Sequence, residues 1–345
     1  MTKQSLPYGL WQSPISPAML AGGIRLNDVQ WSADGEFLVW SQSQDGKTSL
    51  FAKPARDAAF DLSGELNPSG GVGYGGGDFF AGRRGAVICD RSGQLFFKSY
   101  GAGLARPITP AFGACASPVI TPDERFVIYV HTCENKDVLA IVPMDGGAWP
   151  KILRQGADFY MQPTVSPDGR RLAWVEWDHP NMPWDGARLL LARLDAEAGS
   201  LSEIKLMDGD EKVPVFQPIF SPDGSSLAWL SNHGEWDQLK LLDLASGKVE
   251  TLTDERVLLP PAWVQGVRAL AWSADSRELF FLENQFARTS LHAISISDRE
   301  IRNVPLAPFT LIEQPCVSAK GEVALIAQSA AKPPSVLRIA GGEME

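Results

Sequence analysis

Short apolar runs bounded by Gly, Pro and Asp recur along the chain, and their arrangement repeats. A tetrapeptide of turn-forming composition appears as Ser32-Ala33-Asp34-Gly35, Thr121-Pro122-Asp123-Glu124, Ser166-Pro167-Asp168-Gly169, Ser221-Pro222-Asp223-Gly224 and Ser273-Ala274-Asp275-Ser276. A degenerate copy stands at Ser318-Ala319-Lys320-Gly321. Start-to-start spacings are 89, 45, 55, 52 and 45 residues. The first spans two periods, so a repeat without the tetrapeptide is expected near residues 75–100. Pro or Ala, then Asp, then Gly suits a type I turn followed by a left-handed residue. Eight residues after the Ser or Thr comes an aromatic: Trp40, Tyr129, Trp174, Trp229 or Phe281. Apolar runs such as Phe37-Leu38-Val39-Trp40 and Leu172-Ala173-Trp174-Val175 surround it, so each unit reads as strand, turn, strand.

A third strand follows in every unit, from Leu50-Phe51-Ala52 to Val336-Leu337-Arg338-Ile339, which makes seven. The unit lacking the tetrapeptide is Phe79-Phe80 turning into Ala86-Val87-Ile88-Cys89. A fourth strand is clearest at Lys248-Val249-Glu250-Thr251-Leu252. Four antiparallel strands per ~45–50 residues, seven times over, predict an all-β fold, a seven-bladed β-propeller. A β-sandwich would lack the long superperiod, and a β-helix would need shorter repeats. The propeller is expected over residues 26–345, after an N-terminal extension at 1–25. The chain ends at Gly342-Glu343-Met344-Glu345 as the last outer strand begins, so the last blade is expected to be incomplete.

Composition agrees with this reading. There are 32 Gly and 25 Pro, heavy for a helical protein and ordinary for many short strands, and hydrophobic content of 44% excludes disorder. The net charge is −10 and no Lys/Arg run exceeds two residues, which argues against a nucleic-acid partner. No apolar stretch is long enough for a transmembrane helix, and the N-terminus lacks a signal-peptide core, so no membrane partner is expected. Cys89, Cys115, Cys133 and Cys316 show no metal-ligand spacing; buried free thiols in a reducing, cytoplasmic compartment are expected.

Three segments go beyond the generic turn: Tyr8-Gly9-Leu10-Trp11-Gln12-Ser13-Pro14-Ile15-Ser16, Tyr74-Gly75-Gly76-Gly77-Asp78-Phe79, and Trp177-Asp178-His179-Pro180-Asn181-Met182-Pro183-Trp184-Asp185-Gly186. On these the chain resembles, over essentially its whole length, the N-terminal propeller of prolyl oligopeptidase-like (family S9) serine peptidases, in the bacterial dipeptidyl aminopeptidase/acylaminoacyl-peptidase branch. The turns alone are shared with other propellers, TolB-like ones included. The resemblance implies a following α/β-hydrolase domain that carries a Ser-Asp-His triad, and a propeller that covers the active site, restricts access to short peptides and contributes to substrate binding. The chain has no Gly-x-Ser-x-Gly, so the nucleophile elbow is absent and no catalytic residue is assigned.

Gly71-Val72-Gly73-Tyr74-Gly75-Gly76 matches G-x-G-x-x-G formally but lacks the strand before and the helix after. It reads as a close-packed loop between blades, and no cofactor is expected. In a four-stranded blade, loops between second and third strands share a face with the connections to the next blade, where a downstream domain would dock. That face is expected to carry His131, Glu134, Glu176, Asp178, His179, Asn181, Trp184, Asp185, His233, Glu235, Trp236, Glu283 and Asn284. Three readings remain open there: a solvated surface, an interdomain or substrate-contacting surface anchored by Trp184 and Trp236, and a metal site from His131, His179 and His233. The assignment adopted has no metal, with His131, Glu176, Asp178, His179, Asn181, Trp184, Asp185, His233, Glu235 and Trp236 as the substrate or interdomain face. Some relatives clamp a peptide amino terminus with propeller glutamates; by position only, Glu176 and Glu235 are the candidates. The turn aspartates Asp34, Asp123, Asp168, Asp223 and Asp275 and the blade tryptophans Trp40, Trp174, Trp229 and Trp272 are expected to be structural.

The functional expectation is a non-catalytic propeller that gates and contacts substrate for a hydrolase domain, the partner being that domain and the substrate a peptide. The alternative is a stand-alone propeller acting as a protein–protein interaction module.

Overall fold

The computed structural model describes residues 23–345, together with Ser5, Pro7 and Gly9. The Tyr8–Ser16 segment therefore lies almost wholly outside the described residues. Among the described residues there is no helix; 28 strands form seven four-stranded sheets. In each sheet the strands pair antiparallel in chain order, so every blade is one contiguous piece of chain. The inner strands are Arg25–Trp31, Phe79–Ala81, Ala114–Ile120, Phe159–Val165, Val215–Phe220, Leu270–Trp272 and Leu311–Val317. The fold is the expected seven-bladed propeller. The unit without the tetrapeptide is blade two, with strands Phe79–Ala81 and Gly85–Cys89. The last blade does have a fourth strand, but it is only Glu343–Met344. The outer strands Phe60–Asp61 and Arg106–Pro107 are equally short, so the last blade, expected to be incomplete, has all four strands like the others.

The tetrapeptides build one face. In each of the five better copies the Ser or Thr hydroxyl donates to the Asp carboxylate two residues on, at 2.5–2.7 Å. The same carboxylate oxygen accepts the main-chain N–H two residues further, and the hydroxyl accepts the N–H five residues after it, as from Arg171 to Ser166. Each turn thus satisfies its own polar groups. The aromatics eight residues on lie between blades. Trp174, Trp229 and Phe281 have no exposed surface, and aromatic burial of this size supplies much of the interblade core.

Among the described residues the ring closes without an exchanged strand. Val29 and Leu38 of blade one pack on Ala324 and Ile326 of blade seven. Lys320, where the degenerate turn lacks its Asp, pairs instead with Glu36 across that seam at 2.8 Å. Cys89 and Cys115 are fully buried neighbours in blades two and three, and burial together with Cys115 pushes the Cys89 thiol up. Among the described residues no helix is long and apolar enough to cross a membrane.

Candidate functional site at the loop face

Opposite the turns, the blade-to-blade connections differ in length. Four are four to six residues long, but residues 62–78 (blade one to two) and 257–269 (blade five to six) are much longer. These two meet although blades two and six are not neighbours in the ring: Gly76 bridges Gln265, whose N–H donates to the Gly75 carbonyl at 2.8 Å. The Ser117 N–H donates to the Gly77 carbonyl, the Ser117 hydroxyl to Gln265 Oε1, and Gln265 Nε2 to the Tyr160 carbonyl. The crossed loops thereby span the mouth of the central channel and tie to blades three and four. Glycine is required at the crossing. A Cβ on Gly76 would stand 2.3 Å from the Gln265 carbonyl oxygen, and Gly76 has φ +80°. The G-x-G-x-x-G match is a packing motif.

Beneath the crossing runs a belt of polar side chains, mostly amides, that the turn motif alone does not announce. Ser117, Gln162, Gln217 and Gln314 each stand four residues before the turn Ser or Thr, each is followed by Pro, and each has φ between 47° and 57°. At each the inner strand slips register against its neighbour, forming a bulge that turns the side chain to the channel. Gln217 Oε1 accepts the Ala269 and Leu270 N–H groups while its Nε2 donates to the Leu270 carbonyl. Gln162 joins blade four to the Gln217 N–H and the Val267 carbonyl. Gln314 accepts from the Arg268 N–H and donates to Asn27 O and Gly266 O. Gln30 reaches from blade one to Phe79 and Ala81 of blade two. The repeated Gln/Ser-Pro four residues upstream of the turn is the sequence signal from which this belt could be found.

The candidates from sequence are dispersed among several local structures. Glu176 is 2% exposed and fully engaged: Arg154 donates through Nη2 at 2.8 Å, Trp174 Nε1 at 2.8 Å, and Arg188 stands at 3.8 Å. Asp178 is half-buried, which works against ionisation, yet Arg188 and the Asp158 N–H hold its carboxyl below the usual range. His179 packs its ring edge-on to Phe159, Asn181 donates to the Glu211 carbonyl, and Asp185 accepts the Met182 N–H. His131 lies in blade three beside Phe112; burial lowers its pKa and its Nε2 has no partner. His233 bonds Asp208, which also accepts from Trp229 Nε1. Glu134 and Glu235 are exposed, as is Trp236. Glu283 pairs with Arg256 and His292, and Asn284 accepts from Thr289. Among the described residues no three His, Cys, Asp or Glu come together as a metal site.

The crossed loops divide the mouth into two cavities. The larger, about 860 Å³, has a mixed polar and apolar lining and lies over blades six, seven and one. Its walls include Asp28, paired with Arg268 at 2.6 Å, and Asp78. Burial, with a lesser contribution from Asp28, pushes the Asp78 carboxyl up to about 6, against the Gly70 N–H bond and Arg25, which favour the charged form. The smaller, about 210 Å³, is walled by rings: Tyr74 and Trp263 of the two crossed loops, Phe159 and Trp177 of blade four, and His179 and Trp184 of the loop after it. Asp137 stands at its edge, where burial pushes its carboxyl up although the Thr132 hydroxyl bonds it.

No family model matches the chain. Among curated proteins, dipeptidyl-peptidase 5 of Porphyromonas gingivalis is 30% identical over 146 residues, covering 40% of this chain and 20% of that protein. A solved puromycin hydrolase superimposes with TM-score 0.85 at 26% identity, over 99% of this chain and 56% of that one. A puromycin-hydrolyzing peptidase of Mycobacterium tuberculosis gives TM-score 0.85 at 24% identity with the same coverage. The chain thus spans about half the length of the solved relatives and a fifth of the curated one. In fold, and in likeness along almost its full length, it is similar to the propeller carried by prolyl oligopeptidase-like (family S9) serine peptidases.

Proposed function

We propose that the chain serves as the non-catalytic propeller of an S9-type peptidase, gating entry and contributing peptide contacts to an α/β-hydrolase domain on its loop face. The observation that carries this reading is the crossed-loop mouth. It leaves two cavities, about 860 and 210 Å³, on the face shared by all the blade-to-blade connections. The coverage of just over half of the puromycin hydrolase chain leaves room for such a domain. Four free cysteines, two of them fully buried, fit a reducing compartment, the cytoplasm.

The test is labelling of native cell extract with a serine-reactive fluorophosphonate, followed by capture with an antibody to this propeller. The expected result is a labelled species well above the 37.5 kDa of this chain, or a labelled partner captured with it. An unlabelled 37.5 kDa species with no labelled partner overturns the proposal and favours the stand-alone interaction module.

A further inference from the structure

Two segments singled out in the sequence lie about a hundred residues apart, and the fold brings both to one place. Tyr74 from the first and Trp177, His179 and Trp184 from the second line the smaller mouth cavity, with Trp263 and Phe159 completing it. Tyr74 meets Trp263 edge-on at 5.8 Å between centroids, and Trp184 meets Trp263 at 4.4 Å. On the other wall Phe159 stacks on Trp177 at 5.1 Å. Tyr74 is 71% exposed and Trp263 51%, so large ring faces remain open on this concave surface. The hydrogen bonds of the crossing hold the Tyr74 and Trp263 backbones in place, which lowers the entropy lost on occupation.

Volume and chemistry narrow the occupant. Pockets for drug-sized ligands run from about 300 to 1,000 Å³, whereas an apolar cavity of about 150 Å³ holds benzene. A cavity of about 210 Å³ therefore suits one substituted ring. Its only acid among the described residues, Asp137, already takes the Thr132 hydroxyl, so the rings are the surface on offer. We infer that this cavity is a subsite for one aromatic side chain of a peptide, held by stacking against Trp184 and Trp263. The peptide part of this inference rests on the function proposed above; the ring site itself does not.

The test reads binding to the isolated chain by ¹⁹F NMR, with N-acetyl-4-fluorophenylalanine amide as probe, so failure of the hydrolase reading leaves it interpretable. Saturable broadening and shift are expected, reversed by N-acetyl-tryptophan amide and not by N-acetyl-alanine amide. Trp263→Ala and Trp184→Ala should each weaken binding about tenfold or more, as loss of a stacking face predicts. Trp263→Phe should recover part of it, and Trp149→Ala, 74% exposed and outside the cavity, should leave it unchanged. An unchanged circular dichroism spectrum in each variant separates loss of the site from loss of the fold. Absence of saturable binding, binding indifferent to both tryptophan substitutions, or displacement by the alanine amide overturns the inference. So does self-association through this face that Trp263→Ala abolishes, which would assign the rings to a second copy.

Discussion

The two faces of the ring are built by opposite strategies. On the turn face the same few bonds recur in every well-formed copy, and each tetrapeptide satisfies its own hydroxyl, carboxylate and N–H groups. On the loop face only the Gln/Ser-Pro bulge recurs, its partners differ from blade to blade, and the polar groups bond across blades and across the channel, as Gln217, Gln265 and Gln314 do. A local bond fails alone. A group bonded across the ring leaves several partners stranded when it is lost, so the loop face should be the more fragile and the more specific of the two.

The sharpest way to break that comparison is at the crossing. Gly76→Ala places a methyl group against the Gln265 carbonyl and should cost about 4 kcal/mol or release the loops outright. Trypsin cleavage after Arg256 or Arg268 should accelerate, while Gly247→Ala, whose Cβ would meet open space, should cost about 1 kcal/mol for its left-handed φ and leave cleavage unchanged. Gln217→Ala comes next. It strands two N–H groups and one carbonyl in the buried belt, at about 1–3 kcal/mol each before relaxation, so about 3–5 kcal/mol is expected in urea denaturation.

Asp78 gives a pH signature confined to the loop face. Its carboxyl is pushed up to about 6 in the folded chain from an ordinary 3.8, so folding favours its protonated form. Its stabilising contribution is fully present below about pH 4 and is lost as pH rises through 6. Asp28 and Arg25 act on it from opposite directions. Asp78→Asn keeps an acceptor for the Gly70 N–H and should raise the melting temperature at pH 8 while changing it little at pH 4. Equal effects at both values would refute the assignment. The smallest effect belongs to the turn face: Asp168→Ala should cost about 1 kcal/mol, the loss of one local cap, as measured by thermal unfolding. A cost for Asp168→Ala matching that of Gln217→Ala would erase the contrast between the faces.

How legible each face was in the sequence follows from the same difference. The turns could be read because Ser166, Asp168 and the Arg170 N–H interact within five residues, and such short-range chemistry leaves a spaced motif. The seven third strands and the blade lacking its tetrapeptide were legible for the same reason. The loop face was legible only in part. Strand count and direction determine which loops share a face, which is why Trp184 and His179 could be assigned to one surface before their neighbours there were known. That the Glu176 carboxylate is tied up in ion pairs was not foreseeable, since Arg154 comes from the preceding blade. Trp263 and Gln265 carry no local signal at all, because nothing near them in sequence announces a partner almost two hundred residues upstream.

By itself, then, the sequence determined the number of blades, the turn chemistry and the interblade aromatics, all set by period, local hydrogen bonding and the burial of apolar side chains. It also carried the family resemblance. Only the tertiary structure decided what the mouth of the channel looks like: that residues 62–78 and 257–269 cross, that glutamines rivet one blade to the next, and that six rings from distant segments wall one small cavity. The physical reason is the geometry of a closed ring. It brings every inner strand and connection toward one axis, so residues far apart in the chain become neighbours there, and which residue meets which leaves no period to read even where, as at the Gln/Ser-Pro bulges, the donors themselves recur.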